Sequence, residues 1–183
     1  MNPTGSATVL VEDDVTRAIR RIAHEVLESL PEVDFTLPRG PLVVMGLQHG
    51  GVWLAEAIIA EMRKIDVTVN VLIGSIDVSM YRDDIGIRPT VSGSVSEVPC
   101  DLDGALVVLV DDVLFTGRTV RAALDAIIEY GRPQAVRLAV MVDRGHRELP
   151  IRPDFVGKNL PTKTSDEVVV SRTGVEIIPA GTQ

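Results

Sequence analysis

The chain has 183 residues, 45% of them apolar and 24% charged, which suits one water-exposed globular domain with a full core. A net charge of −8 excludes bulk electrostatic attraction to nucleic acid or an anionic membrane and leaves only a local basic face for such partners. The single cysteine, Cys100, excludes an internal disulfide, and no apolar run approaches the ~20 residues of a membrane span.

Residues 1–12 read as loose at the start. Asp13 or Asp14 then caps a helix beginning near Val15, with Ile19, Ile22, Ala23, Val26, Leu27 and Leu30 at three- and four-residue spacing and Pro31 after its end. Its other face carries Arg17, Arg20, Arg21, His24, Glu25 and Glu28, which composition alone makes a solvated face. Phe35 to Gly40 is a turn-rich connector. Leu42 to Met45 is a short strand that runs through Gly46-Leu-Gln-His-Gly-Gly51 into a helix, Val52 to Met62. Such a strand, Gly loop and helix lets the backbone approach an anion closely. Val67 to Ile76 is β-branched and alternating, a strand. The stretch from Asp77 to Pro99 has little core of its own and reads as a hairpin-like excursion, by its length a functional lid or a disordered segment.

Asp103-Gly104 turns the chain into its central feature. Leu106 to Val110 is a buried strand, Asp111 and Asp112 follow, and Thr116-Gly117-Arg118-Thr119 opens a helix, Val120 to Tyr130. The backbone N–H groups of such a turn and the helix N-terminus favour an anion such as a phosphate. The acids at the strand end can accept hydrogen bonds from a sugar diol or hold Mg2+. Gly131 and Pro133 stop the helix. Ala135 to Val142 is another strand, ending in the polar loop Asp143 to Arg152. Phe155-Val156 leads into Gly157 to Thr162, and Val168 to Val170 with Val175 to Ile178 form a closing hairpin. The alternation of strands and helices implies one α/β domain over 1–183, a mostly parallel sheet flanked by helices.

The acid pair followed by Thr-Gly-Arg-Thr resembles the phosphoribosyl pyrophosphate (PRPP) motif of type I phosphoribosyltransferases. Met80 to Asp84, Asp143 to Arg152 and Val156 to Thr162 resemble the PyrR group within them, over about residues 15–170. That family pairs RNA-binding attenuation of pyrimidine genes with uracil phosphoribosyltransferase activity. The resemblance implies the type I phosphoribosyltransferase fold with a small hood, and a regulator responding to UMP or UTP. Its catalytic residues would be Arg82, Asp111 and Asp112. PRPP or nucleotide would be held by those acids, by Thr116, Gly117, Arg118 and Thr119, by His49, Gly50, Gly51 and Tyr81, and by Asp143, Arg144 and Val156. Mg2+ would come with PRPP, with Asp111 or Asp112 as its candidate protein oxygen donor and no site built from protein ligands alone. RNA, as a leader hairpin, would meet Arg20, His24, His146, Arg147, Arg152 and Lys158. A homodimer or higher homo-oligomer in the cytoplasm is expected, without a membrane partner.

Two departures from the family qualify this. Phe115 stands where purine-specific relatives place an Asp and PyrR members a Tyr, which disfavours purines. His49-Gly50-Gly51 replaces the Thr-Arg-Gly of the pyrophosphate loop. The lost cation is worth ~2–4 kcal/mol by analogy with lost transition-state donors, so the transferase is expected to be weak. Two alternatives remain: a salvage phosphoribosyltransferase without RNA function, and a nucleotide-binding protein that has lost both activities.

Overall fold

A computed structural model describes residues 5–30, 40–81 and 95–180. Five parallel strands form its centre: β2 (Leu42–Leu47), β3 (Val71–Ile76), β4 (Leu106–Leu114), β5 (Ala135–Asp143) and β6 (Phe155–Asn159), in the order β3-β2-β4-β5-β6. β2 and β4 are apolar almost throughout because helices cover both faces of a parallel sheet. Helices α1 (Glu12–Glu28) and α2 (Gly51–Ile65) pack on one face through Ile22, Val26, Leu54, Ile58 and Met62. Helix α3 (Arg118–Ile127) packs on the other through Val120, Ala123 and Ile127.

Within the stretch 1–12 that reads as loose at its start, the described residues include a strand. Ala7–Val11 is a strand, β1, antiparallel to β8 (Gly174–Ile178), which in turn pairs with β7 (Glu167–Ser171). The β7–β8 hairpin is the expected one, but its pairing with β1 joins segments far apart in the chain, so no local pattern announces it. Helix α1 begins before Val15, and the Asp14 carboxylate reaches back to the Val11 amide at 3.2 Å, satisfying a first-turn donor.

Strand β4 outruns its apolar segment. Asp111 pairs with Val140, Val113 with Val142 and Leu114 with Asp143. The length of β5 therefore draws both acids into the ladder instead of leaving them in a loop. Strand β3 is shorter at its start than the run from Val67 suggests. Of the excursion after Asp77, Glu97 returns to bridge Ser75, while Arg82 lies outside the described residues.

Candidate functional site

Strand order places the site. The connection leaving β2 runs to β3 on one side and the connection leaving β4 runs to β5 on the other, so a crevice opens at the carboxyl ends of β2 and β4. Gly46 of β2 is level with Val110 of β4, which sets the loop after β2 beside the two acids.

The loop meets Asp112 directly. A Cβ at Gly50 would fall well inside 3 Å of the Asp112 carboxylate, and one at Gly51 would strike the Val110 carbonyl. At 51 the backbone lies against β4 as only glycine permits, whereas a side chain at 50 requires the Asp112 carboxylate to move. Asp112 is further held by the Val113 amide, 2.7 Å from Oδ1. Asp111 is buried, at 7% exposure, and its Oδ1 accepts the Asp112 amide at 3.0 Å. Neighbours on a strand leave on opposite faces, so Asp112 turns to the β2 loop and Asp111 away from it.

Gly117 begins α3 at φ +93°, a left-handed conformation that glycine adopts without strain. No side chain caps the helix through that residue, and the first turn's N–H groups converge at Thr116–Thr119. The Thr116 hydroxyl accepts the Arg118 amide at 3.4 Å. The Arg118 side chain pairs with Glu148 at 2.7 Å.

The polar loop after β5 closes the other side of the turn. Arg144 is buried with its guanidinium 4.2 Å over the Phe115 ring, donating to the Thr162 hydroxyl at 3.1 Å and the Lys163 carbonyl at 2.7 Å. Burial pulls its pKa below the usual arginine range. His146, at φ +61°, sets its Nε2 2.6 Å from the Thr162 carbonyl and its ring edge-on to Phe115. A cleft of about 340 Å³ lies between Asp143–His146 and Asn159–Thr162.

The structure thus gathers His49 to Gly51, Asp111, Asp112 and Thr116 to Thr119 around one crevice, with Asp143 and Arg144 at its side. Two residues sit elsewhere than expected. Tyr81 packs on the core beyond β3 and hydrogen-bonds Glu129, at the far end of α3 from the turn, which holds its hydroxyl up at about 12. Val156 is level with Asp111 through Val140, three residues short of the strand end, and its carbonyl is taken by Arg21 at 3.0 Å. Asn159 is level with Asp143.

The basic residues divide. His24, Arg152 and Lys158 are exposed, and no hydrogen bond occupies their side chains among the described residues. Arg20 pairs with Glu61 at 3.4 Å, and His146 is engaged as above. Arg147 is drawn into the fold by Asp143 at 2.5 Å and by four carbonyls. Sequence reasoning passed over Glu148, whose role depends on where its loop folds back. No three His, Cys, Asp or Glu side chains gather as a metal site among the described residues. No helix there is long and apolar enough to cross a membrane.

An uncapped helix-start turn, one buried and one half-buried acid, and a glycine loop at one switch point have the form of a phosphoribosyltransferase-type site. The model of the phosphoribosyl transferase domain matches residues 7–176. Solved structures agree in fold: the hypoxanthine phosphoribosyltransferase of Trypanosoma cruzi superposes with a TM-score of 0.70 at 17% identity, covering 98% of this chain and 99% of that one. The hypoxanthine-guanine enzyme of Bacillus anthracis gives 0.63 at 18% identity, over 85% and 84%. The bifunctional protein PyrR of Leifsonia xyli is 50% identical over 88% of this chain and 87% of its own length, and that of a Geobacter species is 48% identical over 91% and 90%. The chain belongs to the PyrR family of phosphoribosyltransferases.

Proposed function

We propose that this chain is a cytoplasmic RNA-binding regulator of pyrimidine genes that senses UMP or UTP and carries a weak uracil phosphoribosyltransferase activity. The observation that carries the nucleotide half is the left-handed Gly117 turn at the head of α3, set beside Asp111 and Asp112. Backbone donors of Thr116 to Thr119 hold the 5′-phosphate, and the two carboxylates accept the ribose hydroxyls. The base lies toward the cleft beside Asp143, Arg144 and Asn159, where Phe115 has no proton to exchange with a purine nitrogen.

In the reaction, uracil N1 displaces pyrophosphate from ribose C1 through an oxocarbenium-like transition state. The chain's own contribution is alignment and charge stabilisation. Arg82 is assigned to the leaving pyrophosphate. Mg2+, when bound with PRPP, would supply further charge neutralisation, and the carboxylate oxygens of Asp111 and Asp112 are donors that suit it. His49-Gly50 offers no fixed cation to the pyrophosphate, so turnover is slow. Measuring pyrophosphate release from PRPP with uracil and a panel of other bases tests this. The expected result is a uracil-dependent rate well below that of dedicated uracil salvage enzymes; a comparable rate refutes the weak-transferase assignment.

For RNA, His24, Arg152 and Lys158 supply exposed donors for phosphates or base edges. A salvage enzyme without RNA function is the second reading. It is favoured by the internal engagement of Arg20, His146 and Arg147, which leaves a smaller basic surface than the sequence suggests. A homodimer or higher homo-oligomer is the proposed assembly.

A further inference from the structure

The loop after β5 returns to the phosphate turn by several independent ties. The amides of Glu148 and Leu149 both donate to the Thr116 carbonyl, at 3.0 and 3.3 Å. The Glu148 carboxylate takes Arg118 at 2.8 Å through Nε and 2.7 Å through the terminal nitrogen. Ile151 and Leu149 close over Gly117.

Arg147 sits at the junction. Its Nε donates to the Ile151 carbonyl at 3.0 Å, one terminal nitrogen to the carbonyls of Phe115 at 2.6 Å, Gly145 at 3.1 Å and Leu114 at 3.4 Å, and the other pairs with Asp143. Every nitrogen of the guanidinium is in use. Leu114 and Phe115 immediately precede Thr116, so one side chain fastens the strand end, the phosphate turn and the loop together.

We propose that Arg147 is a positioning residue that couples the nucleotide turn to the exposed part of its own loop, and is not itself an RNA contact. This coupling presupposes the nucleotide and RNA functions proposed for the chain and names the connection between them. A phosphate held by the turn fixes Thr116 and its neighbours. Those residues are bonded to Arg147, Glu148 and Leu149, and the same loop presents His146 on one side and Arg152 on the other. A half-buried guanidinium bridging five acceptors is costly to rearrange, so the loop moves with the turn as a unit. Linkage then requires the effect to be reciprocal: RNA on the loop tightens nucleotide at the turn by the factor that nucleotide tightens RNA.

The test uses the full chain with UMP as probe, comparing wild type, Arg147→Gln and Arg147→Lys. Calorimetry reads UMP affinity, filter binding reads affinity for a pyrimidine-leader hairpin with and without UMP, and hydrogen exchange reads the Glu148 and Leu149 amides. In wild type, UMP should slow exchange at both amides. Arg147→Gln should weaken UMP by about five- to tenfold, abolish that slowing, and make hairpin affinity the same with and without UMP. Arg147→Lys, which keeps the pair with Asp143 but bridges fewer carbonyls, should recover part of the coupling. If Arg147→Gln lowers hairpin affinity by one factor regardless of UMP and leaves UMP affinity and amide exchange unchanged, Arg147 is an RNA contact and the coupling role is overturned. Should Arg147→Gln fail to fold, Glu148→Gln loosens the second tie from an exposed position and is expected to act in the same direction; unchanged UMP affinity and exchange there also overturn it. If wild type binds UMP but no hairpin, the RNA function fails, while the calorimetric and exchange readouts still decide whether Arg147 positions the turn.

Discussion

Replacing Gly50 with alanine probes the contact between the β2 loop and Asp112. The backbone at Gly50 lies at φ −77°, ψ −30°, where alanine is at ease. By that measure alone the change would stabilise the chain by about 0.4–1 kcal/mol through a stiffer unfolded state. The new Cβ, however, falls inside contact distance of the Asp112 carboxylate. Asp112 must swing away and give up its 2.7 Å bond from the Val113 amide, which as a charged acceptor is worth about 1.5–3 kcal/mol. The expected net loss is roughly 0.5–2.5 kcal/mol, at about 2–4 °C in Tm per kcal/mol for a domain of this size. UMP affinity should fall with it, because Asp112 is the assigned acceptor for the ribose diol. Thermal unfolding and UMP calorimetry on Gly50→Ala, Asp112→Ala and the double variant complete a cycle. In the Asp112→Ala background, Gly50→Ala should be neutral or stabilising. An equal loss in both backgrounds, or no loss in the wild-type background, refutes the contact. The same geometry bears on the missing loop arginine: Gly50→Arg requires the Asp112 carboxylate, the proposed ribose-diol acceptor, to move aside.

Other consequences are open to direct measurement. In a Tyr130→Phe background, Tyr81 should titrate by ultraviolet absorbance at about 12, and Glu129→Gln should bring it down toward 10. The hydrogen bond favours the neutral phenol, so its stabilisation is complete below about 10 and fades as pH rises toward 12; a wild-type midpoint near 10 contradicts the contact. Arg152→Gln and Lys158→Gln should each flatten the log–log salt dependence of hairpin binding by about one unit if each meets a phosphate. An unchanged slope in both removes them from the RNA face.

Much of the site was legible because its signals are local. An apolar run, two acids, a Gly turn and a helix pattern lie within one stretch, Leu106 to Tyr130, and the structure gives them as β4, α3 and the turn between. The closing hairpin and the β2–α2 loop were legible for the same reason. What the sequence hid depends on partners far along the chain. Strand β1 exists only because Ala7–Val11 meets β8. The acids lie inside β4 because β5 is long enough to pair with them. Arg147 resembles a surface cation until the loop is seen to fold back on Leu114 and Phe115. Gly50 signals a lost arginine in the sequence; only the fold reveals Asp112 pressed against it.

Filter binding of a pyrimidine-leader hairpin with and without saturating UMP decides whether nucleotide sensing is coupled to RNA. Hairpin binding is expected to weaken steeply with salt and to tighten by about five-fold or more when UMP is present. No binding to the hairpin, or the same affinity with and without UMP, would contradict it.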